Sequence, residues 1–388
     1  MRRSTDRILV SHAGALPATE ELQALRLAGS DEQAEYDKVL PGAVADVVRH
    51  QVDLGHDIIN DGELSKRGGF SNYIAERMTG MERHPLPDGA KPRSVNARDR
   101  RMFPGFYEAG LGTGARRPGR LAPVGNESNP FFVTEPLSYT GGASIAADIA
   151  RLKAAAEGLD VELYLPGIAP GTVEHWLWND YYASDEEFLF ALADVLHEEF
   201  KAITDAGIIL QVDDPDLPDG WQMFPDMTVP EYHRYAELRV EAINHAIRDL
   251  PEELLRLHIC WGSQHGPHAD DIPLTEILDT VLKVKAQCLS VEAANPTHEH
   301  EWAIWEDRKL PDGMILMPGV VGHATDLIEH PELVAQRLIR YANLVGKENV
   351  IAGTDCGLAP RVGHAEIAWA KLDSLSKGAA LASERLWK

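Results

Sequence analysis

The chain has 388 residues, 44% hydrophobic and 25% charged, enough for one large domain or two ordinary ones with a sizeable core. It carries 37 basic against 61 acidic residues, a formal net charge of −24, so the surface as a whole repels nucleic acids and anionic membranes, and neither is expected as a partner. No apolar run approaches the roughly 20 residues of a membrane helix, the start "MRRSTDRILVSHAG" lacks the apolar stretch of a signal peptide, and three cysteines do not make a disulfide framework; a cytoplasmic protein with reduced thiols is expected.

Eight short apolar runs carry or lead into polar residues or glycine: "RILVSHAG" (7–14), "DIINDGE" (57–63), "VELYLPG" (161–167), "IILQVDDP" (208–215), "RLHICWG" (256–262), "CLSVEAAN" (288–295), "MILMPGVV" (314–321) and "NVIAGTDCG" (349–357). They are continuously apolar rather than alternating, the pattern of parallel strands covered on both faces. Helical spacing lies between them. Segment 183–206 opens on Ser184 with Glu187 three residues later, a capping-box signature, and stops at Gly207; 229–248, 272–286, 330–345 and 363–386 are similar. Strands alternating with helices predict one (β/α)8 barrel over 1–388. The rival, an open doubly wound sheet, is weakened because no G-x-G-x-x-G follows the first strand.

One connection is too long for a single crossover helix, so an insertion over 64–160 is expected between strands two and three. It holds an extended ribbon at 129–139 and a helix around 141–157. Within 91–120 it carries Lys91, Arg93, Arg98, Arg100, Arg101, Arg116, Arg117 and Arg120 against Asp99 and Glu108, a local reversal of charge. A solvated loop is the plain reading. A lid, or a contact for an anionic ligand or an acidic protein, is the sharper one.

In a barrel of this type, chemistry sits at the C-terminal ends of the strands. Those ends carry His12; Asp61 and Glu63; Asp213 and Asp214; His258 and Cys260; Glu292; His323; and Asp355 with Cys356. Residues two apart on a strand face the same way, so His258 and Cys260 both point into the mouth. With Cys356 and Glu292 they form a sensible tetrahedral donor set for Zn²⁺. The alternative is that Cys260 and Cys356 are small buried hydrophobes, as expected for Cys288 at the start of its strand. His265, His268, His298 and His300 lie in rim loops and are expected to be structural.

On "SHAGALP", "DGE", "LQVDDPDLP", "HICWG", "SVEAANP", "PGVV" and "GTDCG", the chain resembles the catalytic barrel of cobalamin-independent methionine synthase and its single-barrel relatives, which include epoxyalkane:coenzyme M transferase. The resemblance runs from residue 11 to 357. It implies a zinc ion held by His258, Cys260, Glu292 and Cys356, which binds a small-molecule thiol and activates it for attack on an alkyl donor. It implies that Glu63 and Asp213 hold the amino group of homocysteine. His12, at the first strand's end, is a further substrate-binding candidate, and Asp214 a catalytic one.

Three departures from the family pattern stand out. The longer members carry a second, N-terminal barrel that helps bind folate, for which this chain is too short, so methyltetrahydrofolate is not the expected donor. Ala15 stands where a serine is usual. The loop "PGVVGHATD" has Gly322 at the expected Asp, and His323, the candidate general acid, is shifted by one position. Addition of a thiol such as coenzyme M to an epoxide is the competing reaction, its sulfonate needing cations from Arg67 or the basic insertion. A zinc- or ligand-binding protein without turnover is the reading from another class. A decarboxylase of the uroporphyrinogen type needs no zinc, and H-x-C argues against it.

Overall fold

Continuous apolar strands need cover on both faces, and a closed parallel barrel wrapped in helices supplies it. The computed structural model describes residues 1–28, 32–70, 72–89, 94–110, 130–263, 265–359 and 361–388. Its eight parallel strands are β1 (Leu9–Val10), β2 (Ile58–Ile59), β3 (Glu162–Ile168), β4 (Ile209–Asp213), β5 (Leu255–Ile259), β6 (Cys288–Glu292), β7 (Ile315–Val321) and β8 (Ile351–Thr354). Each falls inside or within one residue of an apolar run read from the sequence. Pairing runs β1-β8-β7-β6-β5-β4-β3-β2. Asp57 closes the remaining seam between β1 and β2: its N–H donates to the Val10 carbonyl and its Oδ2 accepts the Val10 N–H, both at 2.9 Å. The fold is a (β/α)8 barrel.

The helices follow from their caps. Ser184 Oγ accepts from the Glu187 N–H at 3.1 Å and starts helix Asp185–Asp205. The return bond from the Glu187 carboxylate reaches Ala183 N–H rather than Ser184, so the reciprocal cap is displaced by one residue. Helices Val229–Ala246, Pro331–Val345 and Ala365–Leu386 match expectation, while the fourth is cut to Leu274–Val281 because the chain must turn back to enter β6. Among the described residues, no helix is long and apolar enough to cross a membrane.

The barrel interior is layered. Its floor is apolar, with Leu9, Ile58, Tyr164, Ile209, Cys288, Ile315, Met317 and Ile351 in one cluster. Cys288 is thus core. Above the floor Arg256 is fully buried, donates to Ser11 Oγ and His12 O, and lies 4.0 Å from the Tyr164 ring centroid. The mouth, one layer higher, is polar.

Between β2 and β3 the chain builds a side sheet: Met78–Arg83 pairs antiparallel with Phe131–Tyr139, which pairs with Leu177–Asn179. Helix Gly142–Ala155 follows the ribbon. Of the basic stretch, Lys91, Arg93, Arg116, Arg117 and Arg120 lie outside the described residues. Of the described arginines, Arg100 and Arg101 are exposed, while Arg98 turns inward. Arg98 donates to the carbonyls of Trp221, Phe224 and Met227 and covers the Trp221 ring at 3.4 Å, and Arg101 pairs with Asp226.

Arg77 fastens the side sheet to the barrel helices through Asp148 at 2.5 Å and Glu199 at 2.9 Å, all three buried. Burial opposes its charge, but Glu199 and Asp148 outweigh it and raise its pKa. Arg77→Ala would strand two buried carboxylates and should cost about 3–5 kcal/mol, read as a lowered midpoint in urea denaturation.

Candidate metal centre at the barrel mouth

The register of β5 against β6 sets His258 opposite Ser290. The Ser290 hydroxyl meets His258 Nδ1 at 2.9 Å, and the other ring nitrogen, Nε2, is buried with no hydrogen-bond partner. A serine on Nδ1 fixes the ring and leaves Nε2 as a lone-pair donor. Cys260 lies just past the end of β5, where Gly262 turns the chain with φ +80°. Cys356 lies just past β8, its carbonyl accepting from the Thr354 hydroxyl at 2.9 Å. The two sulfurs are 3.9 Å apart. His258, Cys260 and Cys356 offer one donor atom each, all within 4.8 Å of one another.

Charge is unevenly held there. The hydrogen bond from Cys260 holds the Cys356 thiol well below its ordinary range, with burial opposing and His258 assisting. Cys260 is pushed up in turn, by Cys356 and by burial. One imidazole lone pair beside two close sulfurs suits a thiophilic divalent ion, and the orphaned Nε2 is the observation that fits the residues to Zn²⁺. Glu292, the fourth expected ligand, ends β6 nearby, its Oε1 buried and without a hydrogen-bond partner. It stands outside the tight triad, 3.9 Å from His323 Nδ1.

A cavity of about 380 Å³ opens over the triad. Glu63 and Asp213 line it together with His258, Cys260 and Cys356. Glu63 sits at φ +57°, unusual for a residue with a side chain, and Asp61 Oδ1 accepts its N–H at 2.9 Å to hold the turn. Gly14 makes room for it, since a Cβ there would lie 2.7 Å from Glu63 Oε1. Burial raises the pKa of both carboxyls, Asp213 to about 7, with Lys66 opposing at Glu63 and His258 at Asp213.

The other expected site residues fall elsewhere. Asp214 turns to the opposite side of its strand, accepts from Thr172 Oγ1 at 2.9 Å and from the Asp216 N–H at 3.1 Å, and does not line the cavity. His12 lies within the barrel, with Gln51 on Nε2 at 2.8 Å and the Tyr164 hydroxyl 3.0 Å from Nδ1, also off the cavity wall. Arg67 is directed at Gln33 and the Leu25 carbonyl. His323 is buried, with neither ring nitrogen hydrogen-bonded, and burial pushes its pKa down to about 4. Of the rim histidines, His268 and His298 are held in place: Asp271 bonds His268 at 2.8 Å and His298 at 3.1 Å, and His298 stacks on Trp261.

Sequence reasoning passed over Ser290, Ser263 (3.4 Å from Cys356 Sγ), Asp219, Arg26 and Arg361, of which all but Ser290 line the cavity. Ser290 had a signal, being two residues before Glu292 on the same strand face. The others come from loops and helices with no such periodicity.

Fold and site together define a (β/α)8 barrel that gathers one imidazole and two thiols beside two carboxylates at its C-terminal rim. Residues 133–380 match the model of the cobalamin-independent synthase catalytic domain, and the chain belongs to that family. Among its relatives, the methionine synthase of Sulfolobus acidocaldarius is 26% identical over 94% of this chain and 88% of its own length. The methionine synthase of Sulfurisphaera tokodaii is 25% identical over 96% and 92%. The match to the 5-methyltetrahydropteroyltriglutamate–homocysteine methyltransferase of Vibrio vulnificus, 23% identical, covers 90% of this chain but 39% of that one. Among solved structures, a B12-independent methionine synthase from Shewanella sp. W3-18-1 in complex with selenomethionine superposes with a TM-score of 0.73 at 22% identity, covering 98% of this chain and 99% of that one. A putative vitamin-B12-independent methionine synthase from Listeria monocytogenes gives 0.65 at 18% identity, covering 98% and 99%. These likenesses establish the fold.

Two outcomes are expected. In elemental analysis, Cys260→Ala and Cys356→Ala lose bound zinc, Cys288→Ala keeps it, and Ser290→Ala weakens zinc binding by about 10-fold or more. The second concerns acid stability. Burial pushes the Asp271 carboxyl up, but hydrogen bonds from His268 and His298 outweigh it and hold it at about 2. A depressed carboxylate contributes stability above its unfolded pKa of about 4, here about 2 kcal/mol, and loses it as pH falls toward about 2. Asp271→Asn should therefore be less stable at neutral pH, with the difference from the native chain shrinking across that acid window in denaturant titrations.

Proposed function

We propose that this protein transfers a methyl group from a small alkyl donor to the thiol of homocysteine, as a zinc-dependent methionine-synthase-like enzyme. The observation that carries the reading is one cavity holding an imidazole–dithiol triad within 4.8 Å and, beside it, the carboxyls of Glu63 and Asp213. Family membership and the methionine synthases among its relatives support it. His258, Cys260 and Cys356 would hold Zn²⁺, with Glu292 as the adjacent fourth candidate. When bound, the ion supplies the Lewis acidity that keeps a substrate thiol deprotonated near neutral pH.

The chain's own groups do the rest. Ser290 fixes the ring of His258. Glu63 and Asp213 accept hydrogen bonds from the substrate ammonium and so orient the sulfur over the triad. The buried walls exclude water, which preserves the nucleophile. The new S–CH3 bond takes the sulfur's electron pair; the bond from carbon to the donor's leaving atom breaks, and its pair stays with the leaving group. A nitrogen leaving group, as from methyltetrahydrofolate, then takes a proton, and His323, beside Glu292, is the residue assigned to deliver it; cob(I)alamin takes none. Burial keeps its ring neutral at pH 7, so delivery follows transient protonation.

The test is methionine formation from L-homocysteine with methylcobalamin and with methyltetrahydrofolate as separate methyl donors. Zinc-loaded protein that makes no methionine from either would remove the reading. With an active donor, Asp213→Asn should raise the KM for homocysteine by about tenfold or more, and with methyltetrahydrofolate His323→Ala should lower kcat with little change in that KM.

A further inference from the structure

Two arginines reach the cavity without an acidic partner. Arg26 lies in the last turn of helix Glu20–Leu27, and its Nε donates to the Arg67 carbonyl at 2.8 Å. Gly69 makes room for it: at φ +79°, a Cβ there would stand 2.8 Å from Arg26 Nη2. Arg361 follows β8, and its Nη1 donates to the Ser263 carbonyl at 3.2 Å. Among the described residues neither forms an ion pair, and they are the only arginines or lysines lining the cavity.

A guanidinium drawn out of water and bonded to a carbonyl has lost hydration without gaining a counter-charge. Burial accordingly lowers the pKa of Arg26, with Tyr36 and Glu63 offsetting it only in part. Each fork keeps N–H donors in the planar arrangement that matches a carboxylate. Their positions matter as much. The charge of Arg26 is felt at Glu63, and that of Arg361 at Cys356 and His323. The cations therefore flank the acidic side of the mouth. A ligand bearing only an anion would meet Glu63, Asp213 and Asp219, and a cation alone would meet the arginines. A zwitterion satisfies both sets.

We propose that Arg26 and Arg361 form a carboxylate subsite that makes the cavity selective for α-amino-acid thiols. The inference rests on the reading in which Glu63 and Asp213 take the amino group, and it adds the group that takes the opposite end. It also moves the anion-binding role away from Arg67.

Titration calorimetry on the purified chain tests it without turnover. The probes are L-methionine and 3-methylthiopropylamine, which differ only in the carboxylate. The native protein should bind methionine at least about tenfold more tightly. That ratio should fall in Arg26→Met and in Arg361→Ala, approach one in the double variant, and be partly kept in Arg361→Lys, with thermal unfolding unchanged. A ratio near one in the native protein, or a full ratio in the double variant, overturns the proposal. So does tighter binding of 2-(methylthio)ethanesulfonate than of methionine. Should Arg26→Met fail to fold, the two Arg361 variants decide by themselves. Failure of methyl transfer with the binding ratio intact would sink only the proposed reaction. Methionine formation with a ratio near one would sink only the subsite.

Discussion

Parallel pairing around a closed ring is the constraint from which the rest of this molecule follows. Eight strands running the same way deliver eight chain ends to one rim, and the polar residues that terminate the apolar runs collect there. The register is specific enough to choose neighbours. His258 faces Ser290 across β5 and β6, and that single pairing orients the imidazole and leaves one ring nitrogen without a protein partner. A shift of one residue would turn His258 into the surrounding helices and dissolve the triad. The apolar floor beneath serves the site too, because it stops the strands from sliding.

The second organising feature is a concentration of acidity in a space that burial makes expensive. Glu63, Asp213, Asp219 and Glu292 all have carboxyls raised by burial, and Cys356 is held as the easier thiol to ionise. Such a cluster is stable only if protons, a metal or cationic ligand groups offset it. The chain's own cations nearby are few. Among the described residues, Arg26 and Arg361 stand on the cavity wall, Lys66 is 3.6 Å from Glu63, and Arg256 lies one layer below the mouth. The remaining balance is left to what binds, which is how a site built mainly from acids and sulfurs favours a divalent ion and an ammonium group.

Much of the architecture was legible in the residues. The eight runs mark the eight strands because parallel strands covered on both faces must be apolar throughout, and Ser184 with Glu187 marked a helix start because the cap is a local hydrogen bond. The triad was legible for the same reason. Residues two apart on a strand share a face, and a strand end is recognisable where an apolar run stops. What misled was the assumption that every polar strand end faces the mouth. Asp213 and Asp214 are adjacent and therefore point to opposite sides, so only Asp213 lines the cavity. His12 is one step too deep, inside a network with Gln51 and Tyr164. Arg67 is turned away by its bonds to Gln33 and Leu25. The two arginines that do reach the cavity sit on a short helix and a loop, where no periodicity assigns a direction.

The order of elements, the class of fold and the candidate sulfur and imidazole donors were therefore legible in the sequence itself, because periodicity and caps are local and act within a few residues. Only the closed barrel decided which of those donors meet. Cys260 and Cys356 are 96 positions apart in the chain and 3.9 Å apart in space, a distance set by strand register and tilt rather than by anything in their neighbouring residues. The same holds for the direction of Asp214, the depth of His12 and the exposure of Arg26 and Arg361 to the cavity, each fixed by packing against elements remote in sequence.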